Sequence, residues 1–298
     1  MHGKLLLQEL RGSPIDLVPG KKVVSINPGE WTSPFEGKGY EPLGYRDFVM
    51  GDNPRQLHLP TSARRGVPTI VERVALRDFK LMVVIDVTPS MHSRSKALIQ
   101  HEAAAIMLYS AWQAETTFAL AARSEAGIES YGLGIGSRHF YHLFNILWGL
   151  CADYENFRLK GTRLHLRRCL PPNATLVYCS DFLDADGSID GTEELLRAVT
   201  RYDFVPVIVQ DEFECSFPVP SQASLVPCTD PETGQRDEYW VSPGMARRIR
   251  ALNERRFAEL VDRFRKRNIR HVHLATPGVG DAHGEFNDYF RRRRRRSS

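Results

Sequence analysis

From Phe79 onward, short apolar runs alternate with longer segments whose apolar residues recur every three or four positions. Short runs bounded by turn signals read as strands buried on both faces of a parallel sheet, and the longer periodic segments read as the helices covering it. The pattern predicts a strand at Leu81–Asp86 and a helix over about Ser95–Ala114, with Ala97, Leu98, Ala104, Ala105, Leu108 and Trp112 as its apolar stripe. Phe118–Ala122 and Ile128–Leu133 form a hairpin at the sheet edge, followed by a helix over about His139–Cys151 and a short one starting near Thr162. Thr175–Ser180 is a strand, Thr192–Thr200 a helix and Phe204–Gln210 a strand. A β excursion over Phe213–Val241 turns at Asp230–Gly234, then a long helix runs from about Met245 to Arg267 before a last strand at His271–Leu274. Strands alternating with helices in this way predict a doubly wound α/β domain with right-handed crossovers.

The first 75 residues behave differently. Residues 1–35 are rich in Gly and Pro, with one short strand at Lys22–Ile26, and Gly37–Gly66 is dense in glycine, arginine and aromatics without a sustained period. Val67–Val74 alternates enough to suggest a strand. The expected organisation is an extended, partly β segment at 1–75, an α/β domain at 76–290 carrying the excursion at 213–241, and a basic tail at 291–298.

Composition narrows the class. With 42% hydrophobic and 26% charged residues the chain falls in the ordinary globular range. No apolar run approaches the ~20 residues of a membrane span, and the start MHGKLLLQELRG is too short in its apolar part for a secretory signal. The five cysteines are odd in number and include no C-x-x-C pair, so they read as reduced thiols of a cytoplasmic protein and not as a zinc site. The net charge of +4 is misleading, because Arg291–Arg296 alone contribute +6 and leave the rest of the chain at −2. The basicity is a tail, of the kind usually found as a solvated, disordered end.

Candidate chemistry concentrates after the first core strand. In Leu81–Ser90, LMVVIDVTPS, Asp86 is followed by hydroxyls at Thr88 and Ser90. A loop leaving the carboxyl end of a buried parallel strand lies where open α/β sheets bind ligands. Its mixture of carboxylate and hydroxyl oxygens suits a hard divalent cation. The Asp-x-Thr-x-Ser spacing resembles the metal-ion-dependent adhesion site of von Willebrand factor A-like domains, with Thr88 where serine is more usual. That resemblance implies two further residues, a threonine from a later loop and an aspartate ending the fourth strand. Thr162 in Lys160–Leu164 and Asp181 after TLVYCS occupy those places. The resemblance thus implies Mg²⁺ or Mn²⁺ held by Asp86, Thr88, Ser90 and Thr162, with Asp181 behind a water. One position stays open for an acidic side chain of a partner or client protein. The simpler reading is that Asp86, Ser90 and Thr162 only cap nearby helices.

A second resemblance covers about residues 35–290. Tyr45–Arg55, YRDFVMGDNPR, followed by Ser62-Ala63-Arg64-Arg65, is similar to the signature of the domain-of-unknown-function 58 family, with Phe48, Gly51, Asp52, Arg55, Ala63 and Arg64 matching and Leu57-His58-Leu59 where Ile-x-Trp is usual. The resemblance implies a doubly wound, mostly parallel sheet of von Willebrand factor A-like type, preceded by an extended, partly β N-terminal segment. It also implies a partner, a MoxR-type AAA+ ATPase, with which such proteins are thought to assemble, activate or insert metal into others. Physically, Arg46, Arg55, Arg64 and Arg65 near Asp47 and Asp52 are positioned to form bidentate ion pairs that pin this segment on the α/β body, the alternative being a surface for an acidic partner or phosphate.

Other motifs resolve to bland readings. Gly132–Ser137 lacks the Gly-Lys-Ser/Thr ending of a phosphate loop and reads as a flexible turn. Asp184–Gly191 fails the calcium-loop count, because position twelve falls on Arg197 or Leu195. His139 and His142 read as surface histidines, and Cys179 as a buried, inert thiol. The expected function is a non-enzymatic, metal-dependent interaction module. The alternatives are a metal-assisted hydrolase using the same aspartates and nucleic-acid binding through the arginine tail.

Overall fold

The computed structural model describes residues 10, 14–17, 42–48, 58–73, 80–92, 94–124, 127–152, 170, 174–183, 201–229 and 235–297. Two compact units divide the chain: Lys22–Phe79, and a larger unit made of Met1–Lys21 with Lys80–Ser298.

In the smaller unit, β1 (Pro42–Asp47) pairs antiparallel with β2 (Thr69–Arg73), joined through a helix, α1 (Leu59–Arg65). The segment before Gly66 shows no period because this helix buries no face and is defined by its ends. His58 caps its start, with the imidazole Nδ1 accepting from the Thr61 amide at 3.3 Å. Gly66 closes it at φ 70°, a left-handed conformation that glycine adopts without strain. Ser62 accepts from the Thr69 amide at 2.8 Å and so ties helix to strand. Of the expected signature ion pairs, Arg65–Asp47 forms at 3.8 Å with both side chains at least half exposed, a geometry that adds little stability. Gly51, Asp52 and Arg55 lie outside the described residues.

The larger unit opens with β3 (Lys80–Asp86), a 3₁₀ turn at Pro89–His92, α2 (Arg94–Gln113), β4 (Thr117–Ser124), β5 (Gly127–Ser130) and α3 (Gly136–Ala152). Next come β6 (Thr175–Ser180), β7 (Asp203–Val209), the short α4 (Glu212–Ser216) and the hairpin β8 (Ser224–Thr229) and β9 (Arg236–Val241). The unit closes with α5 (Pro243–Lys266), β10 (Val272–Leu274) and α6 (Val279–Ser297). One six-stranded sheet runs β10-β7-β6-β3-β4-β5, parallel throughout except for β5, which is antiparallel to β4. This is the doubly wound α/β sheet that the alternation predicts, and it is consistent with the von Willebrand factor A-like type. The predicted hairpin is present, although β4 is an inner strand and only β5 is an edge.

The apolar runs become strands because both faces are covered. Leu81–Asp86, Thr175–Ser180 and Asp203–Val209 are buried at every position. On one face, Met82, Val84, Leu176, Tyr178, Phe204 and Ile208 join Leu260 and Phe264 of α5 in one cluster. On the other, α2 packs over β3 and β4, with α3 and α6 beside it. Among the described residues no helix is long and apolar enough to cross a membrane.

Three local readings differ from expectation. The arginine run is the last part of α6, whose Ala282, Phe286 and Phe290 are buried and whose Arg293 ion-pairs with Asp203 at the start of β7. The 213–241 excursion begins with α4, capped by Asp211 and Glu214, before its β hairpin. The Gly132–Ser137 turn is held by backbone pairing of Gly134 with Phe118, and a Cβ on Gly134 would meet the His139 ring at 2.6 Å. His139 is therefore half-buried, its Nε2 at 3.0 Å from the Phe118 carbonyl oxygen, and not a surface histidine.

Candidate functional site

Strand β3 sits between β4 and β6, so the chain leaves it to one side and later returns on the other. The two parallel strand ends separate there, and the resulting crevice is the usual ligand position of open α/β sheets. The carboxyl ends of β3 and β6 bring Asp86 and the Ser180–Asp181 pair to this crevice, with Ile85 in register with Cys179 one position earlier.

Asp86 is 1% exposed, and both its oxygens are engaged. Oδ1 accepts the Thr88 amide at 3.0 Å and the Thr88 hydroxyl at 2.7 Å. Oδ2 accepts the Ser180 hydroxyl at 2.6 Å and Arg123 Nη1 at 3.2 Å. The loop after β3 is thereby folded back over its own aspartate, and Thr88 Oγ1 comes to 3.3 Å from Ser90 Oγ. From below, Gln100 Nε2 donates to the Asp86 backbone carbonyl at 2.9 Å.

Asp181 is equally buried. Its Oδ1 accepts the Leu183 amide at 3.1 Å and its Oδ2 accepts Lys96 Nζ at 2.9 Å. The next residue, Phe182, has φ 56°, a left-handed conformation that a bulky side chain adopts only where its surroundings impose it. Here the imposing contacts are Ser180 Oγ, which accepts the Phe182 amide at 2.9 Å, and the Tyr178 and Phe264 rings at 5.7 and 5.3 Å.

Lys96 is the feature that sequence reasoning missed. It lies in the first turn of α2, where the helix dipole disfavours a cation and no acidic residue is present. Its side chain is 4% exposed and reaches two carboxylates, Asp181 at 2.9 Å and Glu214 at 2.7 Å. Burial pulls its pKa down, but the charges of Asp181 and Glu214 outweigh that and hold it above the ordinary lysine value. Glu214 closes the capping box of α4, accepting the Asp211 amide at 3.3 Å through its other oxygen. Its pKa is pushed up, chiefly by burial and further by the charges of Asp211 and Asp181, against the pull of Lys96. Arg123, Gln100, Ser180 and Glu214 were also not foreseen. The available signals were the Asp-x-x-Glu capping pattern and a lysine in place of an acid at a helix start.

The arrangement can be tested against a small hard cation. Octahedral Mg²⁺ with bonds of about 2.0–2.1 Å needs neighbouring ligands roughly 3 Å apart. The hydroxyls of Thr88 and Ser90, 3.3 Å apart, match one such edge. The carboxylates match as charge partners acting through water, since a carboxylate offers about four acceptor directions and those of Asp86 are taken by four donors. Asp181 is committed to Lys96. Thr162 lies outside the described residues, as does the Asp184–Gly191 loop. Among the described residues no group of three or more His, Cys, Asp or Glu side chains forms a metal cluster.

A nucleophile pair adjoins the site. Cys215 Sγ on α4 is 3.8 Å from His273 Nε2 and 3.4 Å from Gln210 Oε1. Burial, with Glu214 and Asp211 adding to it, pushes the Cys215 thiol up to about 11, and burial pushes His273 down. Both groups are held neutral, the opposite of an activated thiolate–imidazolium pair. Cys179 is pushed up to about 12 by burial and by Asp86, and is inert as expected.

A family model described as a protein of unknown function, DUF58, matches residues 44–260. No curated protein shows a significant match to the chain.

Proposed function

Given that the chain belongs to the DUF58 family, we propose that it is a non-enzymatic protein-interaction module whose docking point is the carboxyl edge of its central sheet. In this reading Thr88 and Ser90 bind Mg²⁺ or Mn²⁺ directly, Asp86 orients the loop and supplies charge, and Thr162 and Asp181 complete the set. An acidic side chain of the partner takes the remaining position. The observation that carries the reading is the Thr88–Ser90 hydroxyl edge, 3.3 Å across and fixed by a buried Asp86 at the switch point of the sheet.

Electrostatics favour binding over catalysis. Among the described residues, Asp86, Asp181 and Glu214 pair with Lys96 and Arg123, and Asp211 adds a further carboxylate beside Glu214, a cluster suited to attracting a cation. Both thiols near the site, Cys179 and Cys215, are held protonated. The partner follows from the family resemblance: a MoxR-type AAA+ ATPase in the cytoplasm, engaged weakly per contact and strengthened by avidity on a ring.

The test is thermal unfolding of the full chain with and without millimolar MgCl₂ or MnCl₂. A ligand bound only by the folded state at about 100 times its Kd stabilises by about 2.7 kcal/mol. Wild type should gain stability, and Thr88→Val with Ser90→Ala should lose that gain measured against its own metal-free midpoint. Equal gains in both proteins would remove the metal from this site. Co-purification of the ATPase that survives both EDTA and the double variant would place the partner contact elsewhere.

A further inference from the structure

We infer that Lys96 is a resident cation of this site, which holds Asp181 in the metal-free state and must be displaced before Asp181 can serve a divalent ion. The inference rests on the metal-binding reading above and concerns how that binding is regulated.

The geometry is specific. An ammonium group has three donors, and Lys96 spends two of them on Asp181 Oδ2 and Glu214 Oε1, at 2.9 and 2.7 Å, in a place that is 4% exposed. Lysine is rarely this buried unless paired. The position in the first turn of α2 gives it no helix-dipole benefit, so its location is explained by the carboxylates it meets. Those carboxylates come from different elements: Asp181 from the end of β6 and Glu214 from the cap of α4. Lys96 is therefore a tie between α2, β6 and α4, centred on the aspartate that the metal reading also needs.

A divalent ion that draws on Asp181 Oδ2, directly or through a water, competes with Lys96 for that oxygen, because the Leu183 amide already holds Oδ1. The divalent ion has the larger charge but must draw Asp181 away from Lys96, which breaks the three-element tie and leaves a partly buried Glu214 as the ammonium group's remaining carboxylate. The isolated protein should consequently bind metal weakly, and its affinity should rise when Lys96 is removed. The same logic makes a partner carboxylate useful, since it repays the lost contact with Asp181 from outside.

Mn²⁺ binding to the full chain, read by calorimetry and by the paramagnetic signal of free Mn²⁺, tests this. Lys96→Met should bind at least about tenfold more tightly than wild type. That variant also makes the site more negative by one charge. The pair Lys96→Met with Glu214→Met leaves the net charge unchanged and replaces a buried ion pair with apolar side chains, a replacement folds often tolerate. It should keep the tenfold gain. Equal affinity in wild type and Lys96→Met overturns the inference, and a gain that vanishes in the paired variant overturns it too, because the effect is then net charge and not competition. No Mn²⁺ binding by any of the three removes the metal reading, and the competition falls with it. A readout in the wild type needs no variant: acylation of lysines by an activated ester, followed by peptide mass spectrometry, should find Lys96 protected without Mn²⁺ and labelled with it. Unchanged protection in protein that binds Mn²⁺ overturns the displacement.

Discussion

Replacing Asp86 with alanine separates a carboxylate kept for a ligand from one that also holds the fold. Its side chain is 1% exposed and accepts four hydrogen bonds, from the Thr88 amide and hydroxyl, the Ser180 hydroxyl and Arg123. A hydrogen bond to a charged group is worth roughly 1.5–3 kcal/mol net, but four deletions at one hub do not add. Arg123 is 28% exposed and regains water when its partner leaves, so its share is discounted. The Ser180 hydroxyl and the Thr88 amide are less able to do so. Breaking a buried charged contact typically costs about 3–5 kcal/mol, and Asp86→Ala should fall in that range. For a unit of this size that is a drop in Tm of roughly 6–20 °C. Equilibrium unfolding in urea measures it, and a cycle with Ser180→Ala should show coupling above about 1 kcal/mol, because one contact is then counted in both single variants. A loss below about 1 kcal/mol would refute the reasoning and mark Asp86 as a group the fold tolerates for the sake of a ligand. The expected large loss is the reason Thr88 and Ser90 are the cleaner probes of metal binding.

Two further outcomes follow from buried titratable groups. His101 in α2 is buried, its Nδ1 2.5 Å from the Ala97 carbonyl oxygen, and burial pushes its pKa down to about 4. Because the folded value is below the unfolded 6.5, its contribution is complete above pH 6.5 and is lost as pH falls through 6.5 toward 4, up to about 3 kcal/mol; His101→Gln should flatten that part of the pH–stability curve, and an unchanged slope would sink the assignment. At the other end of the chain, Arg293→Ala should cost roughly 2–4 kcal/mol by removing an ionic partner of buried Asp203, whereas exposed Arg291→Ala or Arg295→Ala should stay within about 0.5 kcal/mol. Equal effects at all three in thermal unfolding would return the run to a solvated tail.

The parts of this fold legible in the sequence are those where one physical demand dominates. A strand covered on both faces has to be apolar at every position, so Leu81–Ile85 and Thr175–Cys179 announce themselves. The loop Asp86-x-Thr88-x-Ser90 is legible because its oxygens are close in sequence as well as in space. Lys96 is not, because a lysine near a helix start is ordinarily solvated and its two partners lie 85 and 118 residues away. Six consecutive arginines hide a helix in the same way. Charge dominates the reading, while the stripe Ala282, Phe286, Phe290, Arg293 carries the docking. In α1 neither period nor charge helps, since the helix is defined by His58 and Gly66 and buries nothing.

The two ends of the sheet use buried carboxylates to opposite effect, and the contrast supports assigning binding to one of them. At the amino end of β7, Asp203 receives Arg293 and the Thr175 hydroxyl, the latter at 2.9 Å. Both side chains of the Asp203–Arg293 pair are at most 13% exposed. At the carboxyl end, Asp86, Asp181 and Glu214 meet only Lys96 and Arg123 among the described residues, and the half-exposed hydroxyls of Thr88 and Ser90 stand beside them. Several carboxylates gathered next to hydroxyl oxygens spaced for a cation are better explained by a ligand that arrives from outside.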